Sequence, residues 1–174
     1  MIHYLKKMYI EDGDKIEAFI NSTKNIFDEN FDTACKKMAE VTGKPLYRNN
    51  FTIFVTTFPR GPYNKEKGYL WVYTDWLEPL KSFLHELCHF QFIHYWGENN
   101  NSDIMKLSND EFGYLKESLT VVIDESFYPL IKSPDRGYEI HQGFRKILSE
   151  HWKKDKDFDH LVKFGINELP KYIK

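Results

Sequence analysis

The stretch from Ser82 to Gln91 constrains this chain more than any other, because residues 85–89 read His-Glu-x-x-His. On an α-helix, residues four apart lie one turn above one another on the same face. His85 and His89 are therefore predicted to direct two imidazoles at one ion, with Glu86 beside them. Two neutral nitrogens can hold Zn2+, an open coordination position can hold water, and a carboxylate can take the proton of that water.

The residues around this motif are those of a buried helix. A chance match on a solvated helix would usually carry charged residues at these positions, and the alternative is a core helix with two satisfied histidines. The uncharged neighbours are Phe83, Leu84, Leu87, Cys88 and Phe90. The stretch resembles the extended metallopeptidase signature of the zincin superfamily. This resemblance implies a peptidase with Zn2+ as its cofactor.

A catalytic zinc site needs a third protein ligand. His94 lies five residues past His89, which rotates it about 140° around the helix, so it is predicted to point away. Glu117 lies 28 residues after His89, on the next substantial helix. A helical Glu at this distance is similar to the gluzincin, or thermolysin-like, branch of the zincins, which implies that Glu117 is the ligand. The alternatives are that Glu117 only faces solvent, or that the ligand is Glu111, Asp124 or Glu125.

The resemblance to gluzincins also implies residues outside the ligand set. Gluzincins carry an Asp four residues after the ligand Glu, where it accepts the N–H of a ligating His. That position is Val121 here, and Thr120 or Asp124 are the substitutes within reach. A donor to the developing oxyanion is expected as well. His141 is the first candidate and Tyr138 the second, with a plain surface histidine as the alternative.

Length and composition limit the other possibilities. A chain of 174 residues, 41% hydrophobic and 17% aromatic, is predicted to form a single domain over residues 1–174. A net charge of -2 gives no reason to expect nucleic acid or an anionic membrane as a partner. No apolar run approaches the ~20 residues that span a bilayer, and residues 1–10 do not resemble a signal peptide. Cys35 and Cys88 are predicted to be buried thiols, which favours the cytoplasm.

The predicted fold class is α+β: a mostly helical zincin-like domain with a small antiparallel or mixed sheet beside the motif helix. Helical periodicity and capping residues indicate five helical segments. These are Asp14–Glu40 with a candidate break at Asn21–Thr23, Pro79–Trp96 ended by Gly97 and Asn99–Asn101, Asn109–Asp124, Tyr138–Trp152 and Asp157–Ile166. For the first helical segment, residues Asp12–Asp14 supply capping groups at the start, and Gly43 and Pro45 are predicted to end the helix. Asn109 or Asp110 is the expected N-cap of the third.

Two strands are predicted from β-branched and aromatic residues, Phe51–Phe58 and Tyr69–Thr74, joined by a segment rich in turn residues. We expect the second strand to run antiparallel to the first. If it is an edge strand beside the motif helix, it can hold an extended peptide by main-chain hydrogen bonds. An ordinary hairpin is the alternative.

The predicted function is therefore zinc-dependent hydrolysis of a peptide or related amide bond in a peptide or protein substrate. In this interpretation His85, His89 and Glu117 bind Zn2+, and Glu86 is the general base. The competing hypothesis is a catalytically inactive zincin-fold binding or regulatory module that retains the metal. A structural zinc site is usually closed by four protein ligands, and the sequence offers no obvious fourth.

Overall fold

The computed structural model describes residues 2–59, 61–74, 78–98 and 103–173. Its architecture is mostly helical with one small mixed sheet, which confirms the predicted α+β class. The α-helices are α1 (Ile2–Thr42), α2 (Pro79–Phe92), α3 (Asn109–Leu119), α4 (Val121–Ser126), α5 (Gln142–Lys154) and α6 (Phe158–Glu168). The strands are β1 (Thr52–Thr56), β2 (Tyr63–Asn64) and β3 (Tyr69–Tyr73).

The first helix, α1, is continuous, so the predicted break at Asn21–Thr23 is wrong. Residues Asp12–Asp14 lie inside this helix rather than at its start. The helix continues because its apolar stripe packs against the core on both sides of the polar residues, from Phe19 to Phe31. It ends where expected, since Gly43 has a φ of 64° that favours glycine after a helix.

The sheet has the strand order β1-β3-β2, and the orientation predicted for its two main strands is wrong. β1 pairs with β3 in parallel, and β2 pairs with β3 in antiparallel fashion. Residues 57–68 are long enough to carry the chain back to the starting end of the sheet, as a parallel connection requires. β3 is therefore the central strand, so it is not the free edge that a bound peptide would need.

The motif helix α2 lies in the middle of the core. Pro79 occupies its first turn, where the missing N–H costs nothing. Phe83, Leu87 and Phe90 are fully buried, and α2 packs on α1 and on β3. The buried Gln91 side chain fastens the loop after α1 to α2. Its amide accepts the backbone N–H of Tyr47 at 2.9 Å and donates to the carbonyl of Pro45 at 3.1 Å.

The chain after Phe92 departs from the predicted helix bounds. A π-helical turn spans Ile93–Gly97, while Asn99–Asn101, the expected stop signal, lie outside the described residues. The N-cap of α3 is Ser108, not Asn109 or Asp110. Its hydroxyl accepts the backbone N–H of Glu111, whose side chain reaches back to the N–H of Ser108.

The predicted helix 109–124 is divided at Thr120 into α3 and α4. In an uninterrupted helix the carbonyl of Glu117 would accept the N–H of Val121. Instead it accepts a bond from the Thr120 hydroxyl at 2.9 Å and one from Arg145 at 3.0 Å. The last helices agree more closely with the prediction, because a 3-10 turn at Glu139–His141 leads into α5 and α6 follows.

Candidate metal centre

The cluster at the surface of α2 consists of His85, Glu86 and His89. Each of the three offers a ligand atom, and these atoms lie within 4.8 Å of one another. The two imidazole rings are 4.3 Å apart between centroids and inclined by 69°, and helical spacing of four residues allows this close approach. This group is therefore positioned to bind a metal ion.

Glu117 approaches the two histidines from α3, which packs against α2. Its Oε2 atom lies 3.4 Å from Nε2 of His85 and 3.6 Å from Nε2 of His89. Its Oε1 atom contacts Nζ of Lys116 at 3.0 Å, and that ammonium also donates to the Tyr63 hydroxyl at 3.0 Å. Lys116 thus holds one carboxylate oxygen and leaves the other directed toward the imidazoles.

The charge on Glu117 is stabilised by its surroundings. Burial raises the pKa of its carboxyl group, but hydrogen bonding to His85, the charge of His89 and Lys116 outweigh this, so the pKa lies well below its usual range. A carboxylate is the form that a metal binds. The Glu117 side chain is 19% exposed, so it sits between the core and solvent.

The surroundings shift the pKa values of the two histidines in opposite directions. Burial lowers the pKa of His85, yet hydrogen bonds to Asp135 and Glu117 raise it to about 10. Burial and the charge of His85 lower the pKa of His89 to about 4. A metal ion binds the neutral form of an imidazole, so it would compete with a proton at His85.

One unpaired buried nitrogen supports a metal ion at this cluster. Nε2 of His89 is buried and makes no hydrogen bond within the described part of the chain. An orphaned buried nitrogen is costly, and coordination would satisfy it. Two imidazole nitrogens and one carboxylate oxygen are also a donor set that catalytic Zn2+ accepts.

The orientation of His85 is set by Asp135, which the sequence interpretation missed. Oδ2 of Asp135 lies 3.0 Å from Nδ1 of His85. A carboxylate at Nδ1 keeps the N–H on that atom and leaves Nε2 free for a metal. Burial raises the pKa of Asp135, but His85, Thr120 and Arg145 together lower it below its usual value.

Thr120 and Asp124, which were predicted to accept the N–H of a ligating histidine, instead contact Arg145 and the backbone of Asp135. Asp124 accepts the backbone N–H of Asp135 at 2.5 Å, and the Thr120 hydroxyl accepts a bond from Arg145 at 2.6 Å. They therefore hold the Asp135 loop instead of the imidazole. The reason is that α4 starts only after Thr120, so the helical spacing used for the prediction does not apply there.

The other ligand candidates are engaged elsewhere. His94 lies in the π-helical turn, with Nδ1 3.7 Å from Glu98. Glu111 belongs to the capping box of α3, and Glu125 pairs with Lys156 at 2.9 Å. Asp124 holds the loop as described.

The two candidate oxyanion donors occupy different surroundings. Tyr138 is 64% exposed and lines a cavity of about 790 Å³ that also borders His85 and Glu86. His141 is only 7% exposed, with its ring 4.3 Å from that of Tyr114, and its Nδ1 atom is buried without a hydrogen bond in the described residues. Burial lowers the pKa of His141. The cavity wall is completed by Pro59, Gly61, Pro62, Trp71, Lys81, Ser82 and Asp135.

A pattern in the sequence could have revealed Arg145 as a further residue near the site. Arg145, Leu148 and Trp152 recur at intervals of three and four along the buried stripe of α5, and the buried His141 precedes Arg145 by four residues. An arginine on such a stripe needs buried partners. Asp135 carries no comparable local signal, because it lies in a loop.

No protein-family model, curated protein or solved structure matches the chain. The geometry of the cluster is therefore the basis for assigning it as a candidate metal centre. Within the described ranges, none of the helices combines the length and the apolar character needed to cross a membrane.

Proposed function

We propose that this chain is a zinc-dependent metallopeptidase similar to the gluzincins. In this proposal His85, His89 and Glu117 bind the ion, and Glu86 is the general base. The observation that carries it is the approach of Glu117 Oε2 to both imidazole Nε2 atoms, at 3.4 and 3.6 Å. The three proposed ligand side chains thus come together from two helices, and His85 among them borders a cavity.

The proposed chemistry divides between the ion and the protein. Bound Zn2+ supplies a Lewis acid and lowers the pKa of water from 15.7 toward about 7. The Glu86 carboxylate, which borders the cavity, accepts the proton of the attacking water and later delivers it to the leaving amine nitrogen. Asp135 keeps the proton of His85 on Nδ1, and Tyr138 offers a hydroxyl at the cavity wall.

The shape of the cavity supports a peptide or related amide as substrate. About 790 Å³ is enough for several side chains, and the walls combine apolar surface from Trp71 and Pro62 with polar groups. β3 is paired on both sides, so a bound peptide would contact side chains or the outer strands instead of this strand.

An inactive module that retains the metal is the competing function. A purely structural zinc site would be closed by a fourth protein ligand. Here Glu86 borders the cavity, and a carboxylate oxygen of it lies within 4.8 Å of a ring nitrogen of His85 and of His89. A carboxylate beside an accessible metal site favours the enzyme.

The proposal is tested by measuring zinc content and peptide hydrolysis in the same variants. We expect near one zinc per chain in wild type, in Glu86→Gln and in the control Glu125→Ala, and a sharp fall in Glu117→Ala. Hydrolysis of a peptide library should fall at least about 100-fold in Glu86→Gln, the effect expected for a lost general base.

Two outcomes would contradict the proposal separately. Wild-type protein that takes up no zinc when it is offered would remove the metal site and the enzyme with it. Full hydrolytic activity in Glu86→Gln would leave the metal site in place and exclude this mechanism.

A further inference from the structure

Arg145 is a buried arginine that contacts Glu117 and Asp135, next to the candidate metal centre. It belongs to α5, and only 4% of the residue is exposed. A buried guanidinium is costly unless its N–H groups and its charge are matched by partners. The partners of Arg145 therefore indicate what it does.

Its hydrogen bonds reach two separate segments of the chain. Nη1 donates to the Glu117 carbonyl at 3.0 Å and to the Thr120 hydroxyl at 2.6 Å, both at the end of α3. Nη2 donates to the backbone carbonyl of Asp135. It also lies 3.6 Å from Oδ2 of Asp135 and 3.8 Å from Oδ2 of Asp124. One guanidinium thus joins the backbone of a predicted metal ligand to the loop that orients another.

The loop after Asp135 packs closely against this guanidinium. Gly137 has a φ of 60°, and a Cβ atom at this position would lie 3.0 Å from three guanidinium atoms of Arg145. A larger residue there would displace the loop or the arginine. The residue after Gly137 is Tyr138, which lines the cavity. The contacts of Arg145 with Asp135 and Gly137 therefore fix the loop that leads to the cavity wall.

The planar fork of arginine is needed for this arrangement. Arg145 bonds two segments from different nitrogen atoms, whereas the single ammonium of lysine is a point charge on a flexible stem. Oδ2 of Asp135 contacts both Nδ1 of His85 and the guanidinium, so the position of one affects the other.

We propose that Arg145 is a positioning residue that holds Asp135 and Glu117 in register, so that His85 and Glu117 face the same ion. This inference rests on the metal site of the proposed function. It assigns to Arg145 no contact with substrate and no part in proton transfer. If Arg145 served only to stabilise the fold, its loss would lower the free energy of unfolding without a specific effect on zinc.

The test is the zinc dissociation constant, measured by competition with a chelator, in wild type, Arg145→Met, Arg145→Lys and Asp135→Asn. The matched control is Arg136→Met, an exposed arginine next to the same aspartate. We expect Arg145→Met and Asp135→Asn each to weaken zinc binding about 10- to 100-fold, the usual effect of losing a group that orients a ligand. Arg136→Met should bind zinc as wild type does.

A double variant shows whether Arg145 acts through Asp135. In Arg145→Met/Asp135→Asn we expect the loss of affinity to be clearly smaller than the product of the two single losses, because residues that act as a unit are not additive. Unfolding of the metal-free variants in urea reports any change in fold stability separately. If Arg145→Met does not fold, Arg145→Lys decides, with an expected loss of about tenfold.

The outcomes separate this inference from the proposed function. Zinc affinity within about twofold of wild type in both Arg145 variants, or losses that multiply in the double variant, would overturn the role of Arg145 and leave the metal site intact. Wild-type protein without zinc affinity would overturn both.

Discussion

Single residues around the cavity differ in how well they are placed to reach a substrate. Tyr138 is exposed and borders the cavity together with His85 and Glu86. His141 is buried against Tyr114, although its ring lies 5.6 Å from that of Tyr138. The geometry therefore favours Tyr138 over His141 as the donor to the carbonyl oxygen, opposite to the order that the sequence suggested. The catalytic role of either residue stays a prediction.

Replacement of Tyr138 tests this assignment. In Tyr138→Phe we expect kcat to fall on the order of 100-fold at nearly unchanged KM, because the lost hydroxyl would act mainly in the transition state. Tyr128→Phe, at another exposed tyrosine, should leave kcat unchanged. His141→Ala should lower the free energy of unfolding more than it lowers kcat, because the imidazole packs in the interior. Undiminished activity in both Tyr138→Phe and His141→Ala would exclude this pair from catalysis.

At the level of secondary structure, the site depends on how α3 begins and ends. Ser108 and Glu111 form a reciprocal cap at its start, and the bonds to the Glu117 carbonyl end it before Val121. Both sets of hydrogen bonds belong to the helix that carries Glu117. The start is exposed and local, whereas the end combines the local Thr120 hydroxyl with Arg145 from α5.

Loss of the cap has a defined expected cost. Ser108→Ala removes the acceptor for the Glu111 N–H, so we expect the free energy of unfolding to fall by about 1 kcal/mol. Urea unfolding at constant m-value measures the change. Ser22→Ala, at an exposed position inside α1, should have almost no effect. An equal loss in both variants would show that the capping box contributes nothing specific.

At the scale of the whole molecule, α3 packs against both α5 and α6. The three helices meet at Gly165, where a Cβ atom would lie 2.8 Å from Cδ1 of Leu115 and 3.5 Å from Cδ2 of Leu148. Leu115 is fully buried and precedes Glu117 by two residues. The absence of a side chain at Gly165 thus allows α6 to pack closely against Leu115 of α3.

A side chain at Gly165 should separate these helices. We expect Gly165→Ala to lower the free energy of unfolding by about 1–3 kcal/mol, the range found for overpacked cores. The control is Gly113→Ala in α3, where a Cβ atom meets nothing within 4 Å and a small gain in stability is expected. Thermal and urea unfolding measure both variants. Wild-type stability in Gly165→Ala would show that Leu115 yields without cost.

Much of the fold and the centre of the candidate site could be predicted from local patterns. His85, Glu86 and His89 form the cluster because four-residue spacing on a helix is a property of the helix itself. The approach of Glu117 was expected from its position on the next helix, and its Oε2 atom does lie beside both imidazoles. Its role as a metal ligand stays a prediction.

Other features were decided only by tertiary structure. Asp135 and Arg145 lie 50 and 60 residues beyond His85, and no periodic pattern connects a loop aspartate to an imidazole at that distance. The parallel pairing of β1 with β3 likewise depends on where the connecting segment takes the chain. The sequence by itself determined which side chains share one face of α2, because that is set by the rise and turn of a helix. Only packing decided what surrounds them, because contacts between distant segments depend on how all the elements fill one core.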